Sequence, residues 1–208
     1  MNIKNLKKEW NNKNYVVVKN VFNKQTLDII YNYCKLKSDN LHFFILNPTK
    51  FFYREEIDGT LNDTQCKNAA SFYVDPLMEV LLVKFEKLVS SIIDKQIEPI
   101  YSYWRMYFKG SELIKHKDLR SEISITLFIG SENNYKWPLF IEIENKKKEI
   151  NLSPGDLCIY NGLKCPHWRE KYTGEKHAQV FFHYNDIKNK KSKTFDGRHR
   201  IGLPLTRT

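Results

Sequence analysis

The chain has 208 residues, enough for one domain with a substantial buried core, and its 41% hydrophobic and 14% aromatic content excludes general disorder. A formal net charge of +10 suits an acidic partner or nucleic acid, but the lysines are scattered without a basic helical stripe, and compositional bias accounts for them as well. No apolar run approaches membrane-spanning length and no signal peptide follows Met1, so the expectation is a cytoplasmic protein with no membrane contact and no evident obligate protein partner.

In chain order, Tyr15–Lys19 reads as a short β-branched strand. Asn23 is placed to cap a helix over Gln25–Lys37, whose apolar residues Leu27, Ile29, Ile30, Tyr33 and Cys34 follow a helical pattern. Residues 38–73 show no sustained period and are expected to form loops and short elements. Asp75-Pro76 marks a helix start, with a capping carboxylate and a proline at the first turn, and the helix should run to about Ile93. Its apolar side is expected to carry Met78, Val80, Leu81, Leu82, Phe85, Leu88 and Val89.

From Pro99 the pattern changes to eight short strands: Ile100–Phe108, Glu112–His116, Glu122–Ile129, Leu139–Glu144, Glu149–Leu152, Asp156–Tyr160, Pro166–Glu170 and Lys176–Tyr184. Eight strands with turn signals between them point to a two-sheet jelly roll rather than a parallel α/β sheet. The fold class is therefore mainly β with flanking helices (α+β), the β core resting on N-terminal helices. In Glu122–Ile129, Ile123, Ile125, Leu127 and Ile129 alternate with Glu122, Ser124, Thr126 and Phe128. One face can pack on a helical layer while the other lines a polar cavity. After Asn185 the tail is basic and broken, expected to be solvated or partly disordered, with a phosphate-contacting or substrate-contacting arm as the sharper alternative. The four cysteines, Cys34, Cys66, Cys158 and Cys165, lack C-x-x-C spacing, which argues against a structural zinc site, and Cys158 reads as a buried small hydrophobe.

The chemistry concentrates on His116-Lys117-Asp118 and the distant His167. Side chains two apart on a strand point the same way, so His116 and Asp118 can reach one metal ion while Lys117 turns aside. Two imidazoles and one carboxylate hold ferrous iron by one face and leave three positions open. His167, on a neighbouring strand, would close the triangle. Each residue alone has a blander reading, as a hydrogen-bonded histidine or a turn aspartate.

With the turn Ser153-Pro154-Gly155-Asp156 leading towards His167, and Tyr107-Phe108-Lys109-Gly110 leading into His116-Lys117-Asp118, residues 99–184 resemble the iron(II)/2-oxoglutarate-dependent oxygenases, prolyl-hydroxylase-like branch. Val17–Phe22 followed by a helix resembles that branch's N-terminal entry, whereas Trp137-Pro138-Leu139-Phe140 departs from its usual Gly-Gly. The resemblance implies a double-stranded β-helix (cupin-like jelly roll) in a single oxygenase domain over 1–208. Its parts would be supporting elements in 1–98, the core in 99–184 and a basic tail in 185–208. It also implies Fe(II), 2-oxoglutarate as cosubstrate and O2, with His116, Asp118 and His167 as metal ligands and Tyr107 helping to bind the oxo acid. The far carboxylate of 2-oxoglutarate needs a cation, because a buried unpaired carboxylate is costly. Lys176, Arg105 and Arg169 all remain open for that part. The implied activity is hydroxylation with succinate and CO2 as co-products, on a peptide, metabolite or nucleic-acid substrate that the residues leave open. The other class of reading is a non-catalytic jelly-roll module that binds metal or nucleic acid.

Overall fold

The computed structural model describes residues 1–118, 121–189 and 191–204, with Asn134 described in its backbone alone. Helix α1 (Ile3–Lys13) opens the chain, capped by the Asn2 side chain, which accepts from the Asn5 amide, and closed by Asn14 in the left-handed region. Its Ile3, Leu6 and Trp10 pack against the main core, a stripe that the surrounding lysines and asparagines conceal in the sequence. Strand β1 (Tyr15–Val18) follows, then α2 (Lys24–Leu46), where Asn23 accepts from the Thr26 amide at 2.9 Å. This helix runs well past Lys37 because Ser38 and Leu41 continue its buried face, with the Ser38 hydroxyl donating to the Lys35 carbonyl.

Two single-turn helices, α3 (Pro48–Phe51) and α4 (Glu55–Asp58), lead to the hairpin of β2 (Thr60–Asp63) and β3 (Cys66–Tyr73). The long helix α5 (Pro76–Ile93) begins as its sequence dictates, with Asp75 accepting from the Leu77 amide at 3.0 Å. Its buried stripe is Met78, Leu81, Leu82, Phe85, Val89, Ile92 and Ile93; Val80 falls outside it and is 63% exposed.

The remaining strands are β4 (Ile97–His116), β5 (Ile123–Ser131), β6 (Leu139–Ile143), β7 (Lys146–Ile150), β8 (Leu157–Asn161), β9 (His167–Arg169) and β10 (Lys176–Asp186). The two strands expected on either side of Lys109-Gly110 are one, β4. Gly110, at φ +89°, bends the ladder without ending it, and its amide donates to the Tyr172 carbonyl. Strand β7 starts three residues earlier than expected, because Glu144 and Asn145 both adopt the left-handed conformation of a tight hairpin.

All pairings are antiparallel, in the order β1-β8-β5-β10-β4-β9-β6-β7, with β3 on the free edge of β4 and β2 on β3. The sheet closes on itself as a jelly roll: Leu139 and Ile141 of β6 and Ile150 of β7 share a core with Cys158 and Tyr160 of β8, far away in that order. The period-2 alternation then divides the chemistry. On β10, Ala178, Val180, Phe182 and Tyr184 pack into the main core with Met78, Leu82 and Phe85 of α5. His177, Gln179, Phe181 and His183 take the opposite, inner face. On β5, Ile123, Ile125, Leu127 and Ile129 join that core while Ser124 and Thr126 bond to inner-face residues, as the alternation predicts.

The tail differs from its expectation. Arg198 is buried and pairs with the buried Glu79 at 2.8 Å, and its other nitrogens donate to carbonyls, including that of Ile100. The segment up to Pro204 is thereby pinned to the start of β4, and Asp196 is brought to the mouth of a cavity, where it accepts from the Tyr73 hydroxyl at 2.9 Å. Lys190 and the last four residues of the tail lie outside the described residues.

Candidate metal centre

Strand β4 ends at His116, and β9 begins at His167 directly opposite it in register. Asp118 follows two residues later, its amide donating to the Gly162 carbonyl at 3.0 Å in the turn after β8. Gly162 has no room for a side chain: a Cβ there would lie 2.9 Å from the Asp118 Cβ and 2.4 Å from the Ser124 Oγ. Two separate strand ends thus bring the three residues of the sequence triad together. The Asp118 Oδ1 lies 3.8 Å from His116 Nε2 and 3.7 Å from His167 Nε2, and the three donor atoms all fall within 4.8 Å of one another. Each imidazole Nδ1 meets a main-chain carbonyl, His116 that of Ile114 at 2.8 Å and His167 that of Cys165 at 3.1 Å. That contact makes Nδ1 the protonated nitrogen and leaves the Nε2 lone pair facing the centre.

The electrostatics suit a divalent cation. Burial pushes His167 down to about 4, so it is neutral and ready to ligate at pH 7. Burial opposes the Asp118 charge, but the neighbouring His167 and His183 and the Ser124 hydroxyl hold its carboxyl below the ordinary range. Its Oδ2 is buried without a hydrogen-bond partner among the described residues. A partly buried anionic carboxylate with an unmet oxygen, facing two imidazole lone pairs, is a donor set that fits a metal such as iron(II).

A cavity of about 420 Å³ opens beside these residues. Tyr101, Tyr103, Phe181 and His183 form one wall; the Asp63-Thr64-Gln65 turn of the β2–β3 hairpin and Asp196 frame its mouth. Of the three cations singled out by the sequence, Arg105 lines this cavity. One edge of its guanidinium is held by Asp63, at 2.7 and 2.9 Å, and by Gln65 at 2.9 Å. Arg169 lies deeper, two residues beyond His167 on the same strand. It is 1% exposed, bonds the Trp137 carbonyl and the Gln179 side chain, and has no carboxylate partner among the described residues. Its Nε is unsatisfied, and burial pulls the guanidinium down to about 10.

Tyr107 is fully buried near both guanidinium groups, its hydroxyl beside Arg105 but without a partner at hydrogen-bond distance among the described residues. Burial raises its pKa, and Arg105, more than Arg169, opposes that rise. The structure does not bring Lys176 to this interior. Its parity with Ala178 and Val180 puts it on the helix side of the sheet, where its Nζ pairs with Asp39 of α2 at 2.7 Å. His177 is fully buried, stacked on Phe128 at 4.3 Å and bonded to Gln179. Trp104 is a core residue, whereas Tyr101 and Tyr103 line the cavity.

Sequence reading did not single out Asp63, Gln65, Tyr160 or Asp196 as cavity residues. Tyr160 alone carried a usable signal, since strand alternation puts it on the inward face of β8 with Cys158. The other three reach the cavity only through folding contacts distant in sequence.

No protein-family profile matches the chain. Two PKHD-type hydroxylases of Prochlorococcus marinus, from strains NATL1A and NATL2A, are each 31% identical to it over 77 residues, which is 36% of this chain and 35% of theirs. The chain is thus matched to little more than a third of the length of these curated relatives. Among solved structures, a prolyl-4-hydroxylase of Pseudomonas putida superposes with a TM-score of 0.66 at 10% identity, covering 88% of this chain and 99% of that one. HygX of Streptomyces hygroscopicus, solved with nickel, 2-oxoglutarate and hygromycin B bound, gives a TM-score of 0.65 at 11% identity, covering 89% and 88% of the two chains. A Trichoplax adhaerens prolyl hydroxylase in complex with a hypoxia-inducible-factor peptide gives 0.60 at 12% identity, covering 92% and 93%. The chain therefore has the jelly-roll fold found in these 2-oxoglutarate–iron(II) oxygenases.

Proposed function

We propose that this protein is an iron(II)- and 2-oxoglutarate-dependent dioxygenase that hydroxylates its substrate, with His116, Asp118 and His167 as the metal ligands. The observation that carries the reading is the convergence of two Nε2 lone pairs and a partly buried, under-satisfied carboxylate beside one cavity. Iron and the oxo acid, when bound, would activate O2, the oxidant: one oxygen atom would turn a C–H bond into C–OH and the other would enter the succinate left when the oxo acid loses CO2.

The chain's own residues do the rest. The Ile114 and Cys165 carbonyls fix the tautomers that aim both imidazoles. Arg169 and Tyr107 take the far carboxylate of 2-oxoglutarate. In support, Arg169 is a buried cation with no carboxylate partner among the described residues, and beside it lies a phenol whose hydroxyl is unmet. Arg105 is the weaker claimant because Asp63 already neutralises it. The aromatic wall keeps water from the reacting carbon. In this reading residues 1–98 support a catalytic core in 99–184, and the substrate is a small molecule or a single side chain small enough for the cavity.

The test is an anaerobic titration with iron(II) and 2-oxoglutarate. A weak visible charge-transfer band should appear in the wild type and be absent from His116→Ala. Absence of the band from the wild type, with no succinate formed under oxygen across pooled metabolites and peptides, would overturn the proposal.

A further inference from the structure

Tyr160 of β8 stands inside the metal centre without belonging to the triad. It is 1% exposed, and its ring lies 4.8 Å from that of His167. Its hydroxyl oxygen sits 3.3 Å from the His167 Nε2, closer than that nitrogen is to the Asp118 Oδ1 at 3.7 Å. Because Nδ1 of His167 is committed to the Cys165 carbonyl, Nε2 carries the lone pair and Tyr160 is the donor. That is the same lone pair a metal ion would take.

A phenol this deeply buried makes little contact with solvent, so losing its acceptor favours a new one close at hand. The nearby acceptor in need of a partner is Asp118: burial raises the phenol's pKa well above its ordinary value, the Asp118 charge and a hydrogen-bond interaction with that carboxylate add to the rise, and the Asp118 Oδ2 is buried and unmet among the described residues. One transferred hydrogen bond therefore satisfies both groups when the metal occupies Nε2. It also occupies the second carboxylate oxygen, so that Asp118 ligates through one oxygen only and a coordination position stays open.

We propose that Tyr160 is a positioning residue of the metal centre: it caps the His167 lone pair in the apo-protein and passes its hydrogen bond to the Asp118 carboxylate when a divalent metal binds. This rests on the metal-centre reading above and adds to it a residue outside the three-ligand set. The test is titration of the full chain with cobalt(II), followed by visible absorption.

Tyr160→Phe keeps the ring, and its apo form should match the wild type by near-ultraviolet circular dichroism. Its cobalt Kd should rise tenfold or more, within the range typical of lost second-layer contacts. Its ligand-field spectrum should also change, as Asp118 is released to chelate through both oxygens. Tyr184→Phe removes an equally buried hydroxyl, one that bonds the Leu82 carbonyl on the helix side of the sheet, and should leave affinity and spectrum as in the wild type. A Tyr160→Phe protein with wild-type affinity and spectrum would overturn the proposal and leave the metal reading standing. A wild type that binds no cobalt would overturn the metal reading, and the Tyr160 role with it.

Discussion

Arg169 and Lys176 show how much depends on which face of a strand a residue occupies. Both are cations near the distal histidine, yet one lies in the interior beside Tyr107 and the other bonds Asp39 outside the sheet. On the proposed assignment, Arg169→Met removes a charge-assisted bond worth about 2 to 3 kcal/mol. The KM for 2-oxoglutarate should then rise by one to two orders of magnitude, while Lys176→Met leaves it unchanged; steady-state succinate formation reads both. That His116, Asp118 and His167 come together was legible in the sequence, because residue type and two-residue spacing mark them as one donor set. Which cation lies in the interior was not: parity placed Lys176 with Ala178 and Val180, but which face of β10 looks inward depends on where the helices pack. Asp63, Gln65 and Asp196 were invisible for a related reason, since only long-range folding brings them to the cavity.

At the scale of elements, the site depends on joints that the periodic pattern does not reveal. The turn after β8 seats Asp118 against Gly162, so Gly162→Ala should push the carboxylate out of place. We expect about 1 to 3 kcal/mol of lost stability for that overpacking, by urea denaturation, together with weaker cobalt binding. The tail joint makes a second prediction. Glu79→Gln leaves Arg198 buried without its counter-charge and should cost about 3 to 5 kcal/mol in the same assay. Helix α5 and most of the strands were readable from caps, proline and alternation. The tail was not, because a run of lysines and arginines looks solvated until a buried glutamate from α5 is known to meet one of them. Helix α1 was missed because its three packed apolar residues lie among asparagine and lysine.

At the scale of the whole molecule, acid sensitivity follows from imidazoles held neutral in the interior. Burial pulls His167 down to about 4 and His177 and His183 below their ordinary value as well. A folded pKa below the unfolded value means that the unfolded chain binds more protons. The stability these groups contribute is therefore complete above about pH 6.5 and is lost as pH falls towards their folded values. Each titrating imidazole adds up to about 1.4 kcal/mol per pH unit to that loss. The metal-free protein should lose melting temperature steadily between pH 7 and 5, and a bound divalent ion should offset part of the loss by mass action. A flat profile over that range would show that these imidazoles do not remain neutral. The same three-dimensional closure sets the cavity, because β6 and β7 fold over onto β8.

The 20-residue strand β4 runs without interruption from the cavity wall at Tyr101 and Tyr103, past Tyr107, to His116. Beside its far end, β9 carries Arg169 and His167 two residues apart, so on the proposed assignment one short length of backbone joins the anchor for the far end of the oxo acid to a ligand of the metal that grips its near end. Such a strand is a ruler: two residues of rise set a span of about 7 Å between the two. Discrimination between oxo acids of different chain length is then a property of the main chain, and it would survive many side-chain changes but not one inserted residue.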